Sequence, residues 1–189
     1  MRRKRNGKTA GMGFATLFGV AALMISSVKA NEHCSTQHVR SQLEQLYQRD
    51  GDFRRGSGPD RDAHNIVQLK QIIARCGWPM RSQHGERAIQ AAFLVVQHAG
   101  LEDQLQLLPL LEQAEIDGEL AKGLLPLLHD RIRVRQGRPQ LYGTQLQGAC
   151  VPYPVDDQGG LELRRQATGL IPFSDYLAIC RERTLGGVF

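Results

Sequence analysis

Gln97 and His98 end an apolar stretch of the chain, and both are residue types that can do chemistry. The stretch, residues 86–99 (ERAIQAAFLVVQHA), is apolar on nearly all sides of a helix, which is typical of a helix buried in the middle of a small domain. Histidine is the usual general acid or base near neutral pH, and a buried glutamine has several hydrogen-bonding positions to satisfy. His98 is therefore either a site residue or a core histidine bonded to a backbone carbonyl.

Asp130 and Arg131 stand where a Leu-rich pattern ends. If the helix continues that far, Arg131 lies on the same stripe as Leu124 and Leu127. A buried guanidinium needs an anion. Asp130 points roughly 100° away from Arg131 on a helix, so the expected partner is another carboxylate or a bound ligand. Arg131 is thus either an anion clamp or part of a salt bridge that joins this helix to the next element.

The segment QGRPQLYGTQ, residues 136–145, abandons the helical pattern. It follows a strict alternation of charged and apolar residues, RIRVR at 131–135, and it contains the turn residues Gly137 and Pro139. Residues 131–146 are therefore predicted to form a β-hairpin.

Polar side chains gather on one face of this predicted hairpin. Gln140, Tyr142 and Thr144 share that face, while Gln145 lies on the other, and Gly143 lets a backbone or a ligand come close. The polar face either binds a ligand or forms a buried network that fixes the hairpin register.

Three more side chains are candidates for the same site. Arg164 or Arg165, on a later helix, supplies a second cation or faces the solvent, and Trp78 is a stacking platform for a ligand or a plug in the core. No C-x-x-C or H-x-x-x-H spacing, phosphate-binding loop or nucleophile elbow is present. The sequence therefore predicts neither a metal nor a cofactor, and it disfavours a serine hydrolase.

The first thirty residues are predicted to be a secretory signal. A charged start (Arg2 to Lys8), an apolar run (Gly11 to Ile25) and a small-residue site ending at Ala30 follow in order. Cleavage after Ala30 removes six of the 24 Lys and Arg residues and no acid, which leaves 18 basic against 19 acidic residues and moves the net charge from +5 to −1. The basic balance belongs to the signal, so neither nucleic acid nor a membrane is an expected partner of the exported domain.

Four cysteines lie beyond the predicted signal: Cys34, Cys76, Cys150 and Cys180. An even number in an exported chain, periplasmic or extracellular, favours two disulfides. If residues 35–49 and 62–76 form an antiparallel helix pair, the start of the first meets the end of the second. This geometry favours the pairs Cys34–Cys76 and Cys150–Cys180.

Helical periodicity dominates the rest of the chain. Val39, Leu43 and Leu46 mark a first helix that is predicted to end at Asp50-Gly51, before a loop that reaches Pro59. Two Leu-rich helices each contain the string LLPLL, at 107–111 and 124–128, and two last helices are expected near 157–168 and 173–183 after a short extended segment at 151–155. The predicted fold is a mainly α single domain, residues 31–189, with a small β-hairpin and two disulfides.

Several of these residues occur together in an order that resembles the family known as domain of unknown function 6624. The likeness spans roughly residues 60–180 and rests on Asp62-x-x-Asn65, Gly77-Trp78-Pro79, Gln97-His98-Ala99, Asp130-Arg131, QLYGTQ at 140–145, Arg164-Arg165 and Gly169-Leu170. The resemblance supports the extent of the domain and the choice of candidate residues, and it implies no activity.

Two functional hypotheses follow. In the first, Gln97, His98, Asp130, Arg131, Tyr142 and Gln145 form a polar pocket for a small or peptide-like anionic ligand. Its enzyme version, a hydrolase or transferase that needs no metal, uses His98 as the base, Arg131 as the anion clamp and Tyr142 as a donor. In the second, the protein is a non-catalytic interaction or inhibitor-type protein. The same residues are then a rigid internal network, and the working surface is elsewhere, for example at the loop 51–59. The sequence leaves the oligomeric state open.

Overall fold

The computed structural model describes residues 34–54 and 60–185, and within them the chain is mainly α-helical. Six helices come first: α1 (Thr36–Arg54), α2 (Asp60–Cys76), α3 (Arg81–His84), α4 (Glu86–His98), α5 (Leu101–Ile116) and α6 (Leu124–Arg135). Two short strands and two helices follow: β1 (Leu146–Gln147), β2 (Val151–Pro152), α7 (Leu161–Ala167) and α8 (Phe173–Leu185). The predicted class, a mainly helical fold with a small hairpin, is confirmed.

Helix α4 is the centre of the core. It packs against α1, α2, α5 and α6, and its side chains from Ala88 to Val96 are almost all buried, with Phe93 at the middle. The apolar stripes of α1 and α2, which include Leu43 and Leu69, cover it from one side. Each large buried side chain of this core, such as Phe93, Leu43 or Leu69, stabilises the fold by about 1.5 to 3 kcal/mol.

Two disulfides join distant parts of the chain, and both predicted pairs are confirmed. Cys34 with Cys76 ties the start of α1 to the end of α2, with 5.4 Å between the Cα atoms. Cys150 with Cys180 ties the turn of the hairpin to α8, with 6.0 Å between the Cα atoms. The antiparallel helix pair therefore brings Cys34 and Cys76 together as the sequence indicated.

The predicted position of the hairpin was wrong. Residues 131–135 continue α6, because Ile132 lies one helical turn beyond Leu128 and is buried on the same face of the helix. The helix ends at Arg135, with Gln136 as its C-cap, before Gly137, whose φ of 70° suits the turn. The hairpin lies later, where Leu146 pairs with Pro152 and Gln147 with Val151.

Residues 140–145, which we call the motif loop, therefore lie between α6 and the hairpin as irregular backbone. Gln140 makes a parallel bridge to Val155, in the segment 151–155 that was predicted to be extended. Its N–H donates to the Pro154 carbonyl at 2.9 Å, and its own carbonyl accepts from Asp156 N at 2.8 Å. The motif loop is thus anchored at its first residue before it turns toward α6.

Other predicted boundaries differ less. Helix α1 continues to Arg54, so the predicted end at Asp50-Gly51 was wrong. The predicted signal at 1–30 and most of the loop 51–59 lie outside the described residues and stay predictions. No helix in the described ranges is both long and apolar enough to cross a membrane.

The two LLPLL strings give a matched test of helix energetics. Pro109 is exposed inside α5, where proline removes a backbone hydrogen bond, so Pro109→Ala is expected to raise the free energy of unfolding by about 1 to 3 kcal/mol. Pro126 lies in the first turn of α6, where its missing N–H would have no partner in the helix. Pro126→Ala should therefore bring no gain. Urea unfolding followed by circular dichroism measures both, and an equal gain from Pro126→Ala would contradict this account.

Candidate functional site

The carboxylate of Asp130 is the centre of the candidate site. Asp130 is fully buried, at 0% exposure, in the penultimate turn of α6. Its Oδ1 accepts from the backbone N–H of Leu141 at 2.6 Å and of Tyr142 at 3.1 Å. Its Oδ2 accepts from Thr144 N and from Thr144 Oγ1, both at 2.9 Å. One side chain of α6 thereby gathers the N–H groups of the motif loop.

This arrangement leaves the carboxylate no free acceptor position turned toward the solvent. An ionised carboxyl group accepts only, and hydrogen bonds from backbone N–H groups to a charged oxygen are stronger than those between neutral groups. The N–H groups take the place of a cationic partner for Asp130. The buried charge and the loop conformation therefore depend on each other.

Gln140 and Gln145 hold the two ends of the motif loop together. The fully buried Gln140 amide donates from Nε2 to the carbonyls of Gln145 at 3.1 Å and Tyr153 at 2.8 Å. Its Oε1 accepts from Gln145 N at 2.8 Å. The Gln140 side chain, at the start of the loop, thus satisfies both the N–H and the carbonyl of Gln145, at its end.

Arg165, on α7, is the second buried charge of the site. It is 1% exposed, its Nη1 donates to the Tyr142 carbonyl and its Nε donates to the Ile171 carbonyl at 2.8 Å. Its guanidinium lies 5.4 Å from the ring centre of Phe173 and 5.2 Å from that of Tyr176. Burial lowers the pKa of Arg165, and the carbonyls and rings compensate the buried charge.

The sequence predicted a second cation of the site at Arg164 or Arg165. Both contact the motif loop: Arg164 donates from Nε to the Leu141 carbonyl at 2.9 Å, and its Nη2 donates to the carbonyls of Asp156 and Asp157. Arg165 is the buried one, and the signal that could have identified it is Leu161, one turn earlier on the same face and also buried.

The two tyrosines of the site differ in their hydroxyl groups. Tyr176, on α8, donates its hydroxyl to the Thr144 carbonyl at 2.8 Å, and burial raises its pKa. The half-buried Tyr142 makes no hydrogen bond through its hydroxyl to any described residue. The pKa of Tyr142 is raised, mainly by burial and then by the negative charges of Asp130 and Glu115, while the positive charge of Arg164 opposes this shift. Tyr142 is thus the residue of the motif loop with a hydroxyl still open to a new partner.

Gln97 connects the central helix α4 to the motif loop. Its Nε2 and the Nε2 of Gln145 both donate to the Leu127 carbonyl of α6, each at 3.3 Å. The Oε1 of Gln97 is buried and has no donor among the described residues. His98, beside it, is half-buried at the end of α4.

The other predicted site residues lie nearby or apart. Arg131 is half-buried and lies close enough to Tyr176 to lower its pKa. Trp78 packs against the hydrophobic core, and its buried indole N–H has no hydrogen-bond partner among the described residues, which fits a core plug. The structure therefore brings the predicted residues Asp130, Gln140, Tyr142, Thr144, Gln145 and Arg164 together, with Gln97 attached through Leu127.

Gly143 has a conformational and a steric reason to be glycine. Its φ is 69°, in the left-handed region, and a Cβ there would lie 2.7 Å from Cε2 of Phe173. The sequence predicted that a backbone or a ligand comes close at Gly143, and the group that does so in the structure is the Phe173 ring. That ring also covers Arg165.

A model of a family of unknown function, DUF6624, matches residues 56–186. The chain belongs to this family. The match covers α2 to α8 and the motif loop, which is close to the span predicted from the sequence. The residues that surround Asp130 and Arg165 therefore lie within the part of the chain that matches DUF6624. No curated protein and no solved structure matches the chain. In the described part of this DUF6624 chain, no three His, Cys, Asp or Glu side chains group as metal ligands would.

Asp130→Asn tests the dependence of the fold on the buried carboxylate. Asparagine offers one acceptor oxygen and turns an NH₂ group toward the donors of the loop, so we expect a loss of roughly 3 kcal/mol or more in the free energy of unfolding. Asp156→Asn is the matched control, because Asp156 is 57% exposed and pairs with Arg133, so its change should stay within about 0.5 kcal/mol. Urea unfolding compares the two, and equal midpoints would refute the central role of Asp130.

Gly143→Ala and Gly137→Ala separate backbone strain from steric clash. Both glycines have φ near 70°, but a Cβ at Gly137 meets nothing within 4 Å. We expect Gly137→Ala to lose about 1 kcal/mol of stability, and Gly143→Ala to lose about 1 to 3 kcal/mol more because it displaces the Phe173 ring. Thermal unfolding of both variants measures the difference. Equal losses would show that the Phe173 ring moves aside freely.

Proposed function

We propose that this DUF6624 protein is an exported, non-catalytic binding domain of the interaction or inhibitor type. In this proposal the motif loop, Asp130, Arg164 and Arg165 together form a rigid internal network, which we call the frame. Recognition takes place on other surfaces of the domain. The observation that carries the proposal is the complete enclosure of the Asp130 carboxylate by donors of its own chain.

The hydrogen bonds of the frame support a structural role. A general acid or base must reach the proton that it transfers, whereas the Asp130 oxygens are occupied by Leu141, Tyr142 and Thr144. Arg165 is likewise occupied by carbonyls and rings, so its guanidinium is not free to clamp an anion. The frame orders a loop that has little regular secondary structure of its own.

The disulfides support export. Disulfides persist in oxidising compartments such as the periplasm and the extracellular space, and this chain has two, with no free cysteine in the described residues. The charged and apolar pattern before Ala30 is the matching feature of the sequence.

One observation favours the polar-pocket hypothesis as a second candidate. The Tyr142 hydroxyl makes no hydrogen bond to a described residue, and the amide oxygen of Gln97 is buried without a donor from the described residues. A small anionic or peptide-like ligand near Tyr142 would use the phenol as a donor, with His98 and Arg131 as the remaining groups of the pocket.

Tyr142→Phe distinguishes the two candidates, because the frame needs the backbone of Tyr142 and not its hydroxyl. We expect the variant to unfold at the wild-type temperature. Any change in unfolding temperature that sugars, peptides, nucleotides or carboxylates cause in the oxidised wild type should also occur in the variant. Tyr153→Phe is the control, since Tyr153 is a half-buried tyrosine of the neighbouring strand segment. A ligand-induced shift that is lost in Tyr142→Phe and kept in Tyr153→Phe would overturn the frame proposal and assign the pocket.

A further inference from the structure

A second polar site lies outside the frame, between the α5–α6 connection and the end of α7. It is a cavity of about 450 Å³, within the range of about 300 to 1,000 Å³ that is usual for small-molecule sites. Its lining includes the charged residues Arg81, Glu115 and Lys122, the hydroxyl-bearing Thr168, and the small residues Gly118 and Ala121. None of these belongs to the motif loop.

Two opposite charges in this cavity have no partner among the described residues. The Lys122 ammonium and the Glu115 carboxylate make no ion pair or hydrogen bond there, and they do not pair with each other. The other described lysine, Lys70, is bound to Asp103 at 2.8 Å. Lys122 and Glu115 therefore line one cavity without pairing with each other.

The neighbouring charged groups are already engaged. Arg81 donates from Nη2 to the Gly118 carbonyl at 2.8 Å. Glu119 accepts from Ser82 N at 2.8 Å and Ser82 Oγ at 2.7 Å, and these bonds lower the pKa of Glu119. Lys122 and Glu115 are thus the charges that this cavity leaves available.

The fold constrains the Glu115 side chain and the backbone that carries the exposed Lys122. Glu115 is half-buried, and its carboxylate lies close enough to Tyr142 to raise the pKa of that phenol, so it faces the domain. The Cβ of Lys122 would be 3.5 Å from a Cβ built on Gly169, whose φ is 77°. The connection that carries Lys122 therefore lies directly against the end of α7.

Thr168 adds an acceptor on the same wall. Its hydroxyl donates to the Arg164 and Arg165 carbonyls at 3.0 and 3.1 Å, which leaves the oxygen lone pairs for a donor in the cavity. Arg165 belongs to the frame, so the frame also determines where Thr168 lies.

We propose that this cavity binds a small zwitterion, an amino acid or short peptide whose carboxylate pairs with Lys122 and whose ammonium group pairs with Glu115. A ligand with one charge would leave the opposite protein charge without a partner in a partly enclosed site. A zwitterion satisfies both, and its ammonium can also donate to Thr168. The proposal holds whether or not the motif residues are only a frame.

The first test uses lysine signals in the oxidised full chain. Reductive methylation with ¹³C-formaldehyde keeps the lysine charge and gives separate NMR signals for Lys122 and Lys70, assigned with Lys122→Met and Lys70→Met. Alanylalanine and each of the free amino acids are added in turn. We expect at least one of them to shift the Lys122 signal in a saturable way, while Lys70 stays in place as the internal control. No saturable shift at Lys122 with any of these ligands would overturn the proposal.

The second test removes one charge at a time from ligand and protein. Calorimetry of the wild type should show about tenfold or greater loss of affinity when alanylalanine is replaced by its N-acetyl or its C-amide derivative. In Lys122→Met the free acid and the amide should bind equally, and in Glu115→Gln the free amine and its N-acetyl form should bind equally. Lys70→Met and Glu112→Gln, which lie outside the cavity, should keep both preferences.

Two results would contradict the zwitterion. Equal wild-type affinity for the N-acetyl derivative would make the cavity an anion site, and preferences that persist in Lys122→Met and Glu115→Gln would place the binding elsewhere. Neither result changes the outcome of Tyr142→Phe, so failure of this inference is separate from failure of the proposed function.

Discussion

The hydrogen bonds that the Asp130 carboxylate accepts are the constraint on which this domain depends. A buried carboxylate without donors would be costly, and an irregular loop without hydrogen bonds for its N–H groups would be costly as well. Each offsets the cost of the other: Leu141, Tyr142 and Thr144 give their N–H groups to one side chain of α6. Helix α6 therefore orders the irregular motif loop through one anion.

On the opposite face of the same loop, the backbone carbonyls accept hydrogen bonds from two guanidinium groups and one tyrosine hydroxyl. The Leu141 and Tyr142 carbonyls accept from Arg164 and Arg165, and the Thr144 carbonyl accepts from Tyr176. The peptide groups of the loop thus lie between an anion on α6 and cations on α7, so their dipoles are aligned favourably with both. Two buried charges of opposite sign stabilise one loop without touching each other, and α7 and α8 are held in place by the loop rather than by a large apolar interface.

Much of this fold could be predicted from the sequence, because the helices of the core have a regular apolar period and the first disulfide follows from an antiparallel helix pair. The error at 131–135 has a physical cause: RIRVR alternates like a strand, yet Ile132 also continues the helical stripe of Leu128, and five residues are too few to separate the periods. Asp130 could be selected as a candidate residue, but its partners could not, since they are backbone N–H groups and any residue except proline carries one. The choice between Arg164 and Arg165 depends on the rotation of α7. Leu161 marks the buried face, but Leu163, which is equally apolar, is 72% exposed, so the sequence of this short helix indicates two different faces.

The two disulfides are consecutive along the chain: the first closes a loop between 34 and 76, and the second a loop between 150 and 180. Their spans neither overlap nor enclose one another, so each covalent ring can close without the cysteines of the other. A chain that becomes oxidised from its N-terminus onward would form the same pairs, because Cys34 meets Cys76 before Cys150 is present to compete. Asp130 and the motif loop lie between the rings, in a segment that no crosslink encloses, and there a buried charge orders the chain where no covalent bond does.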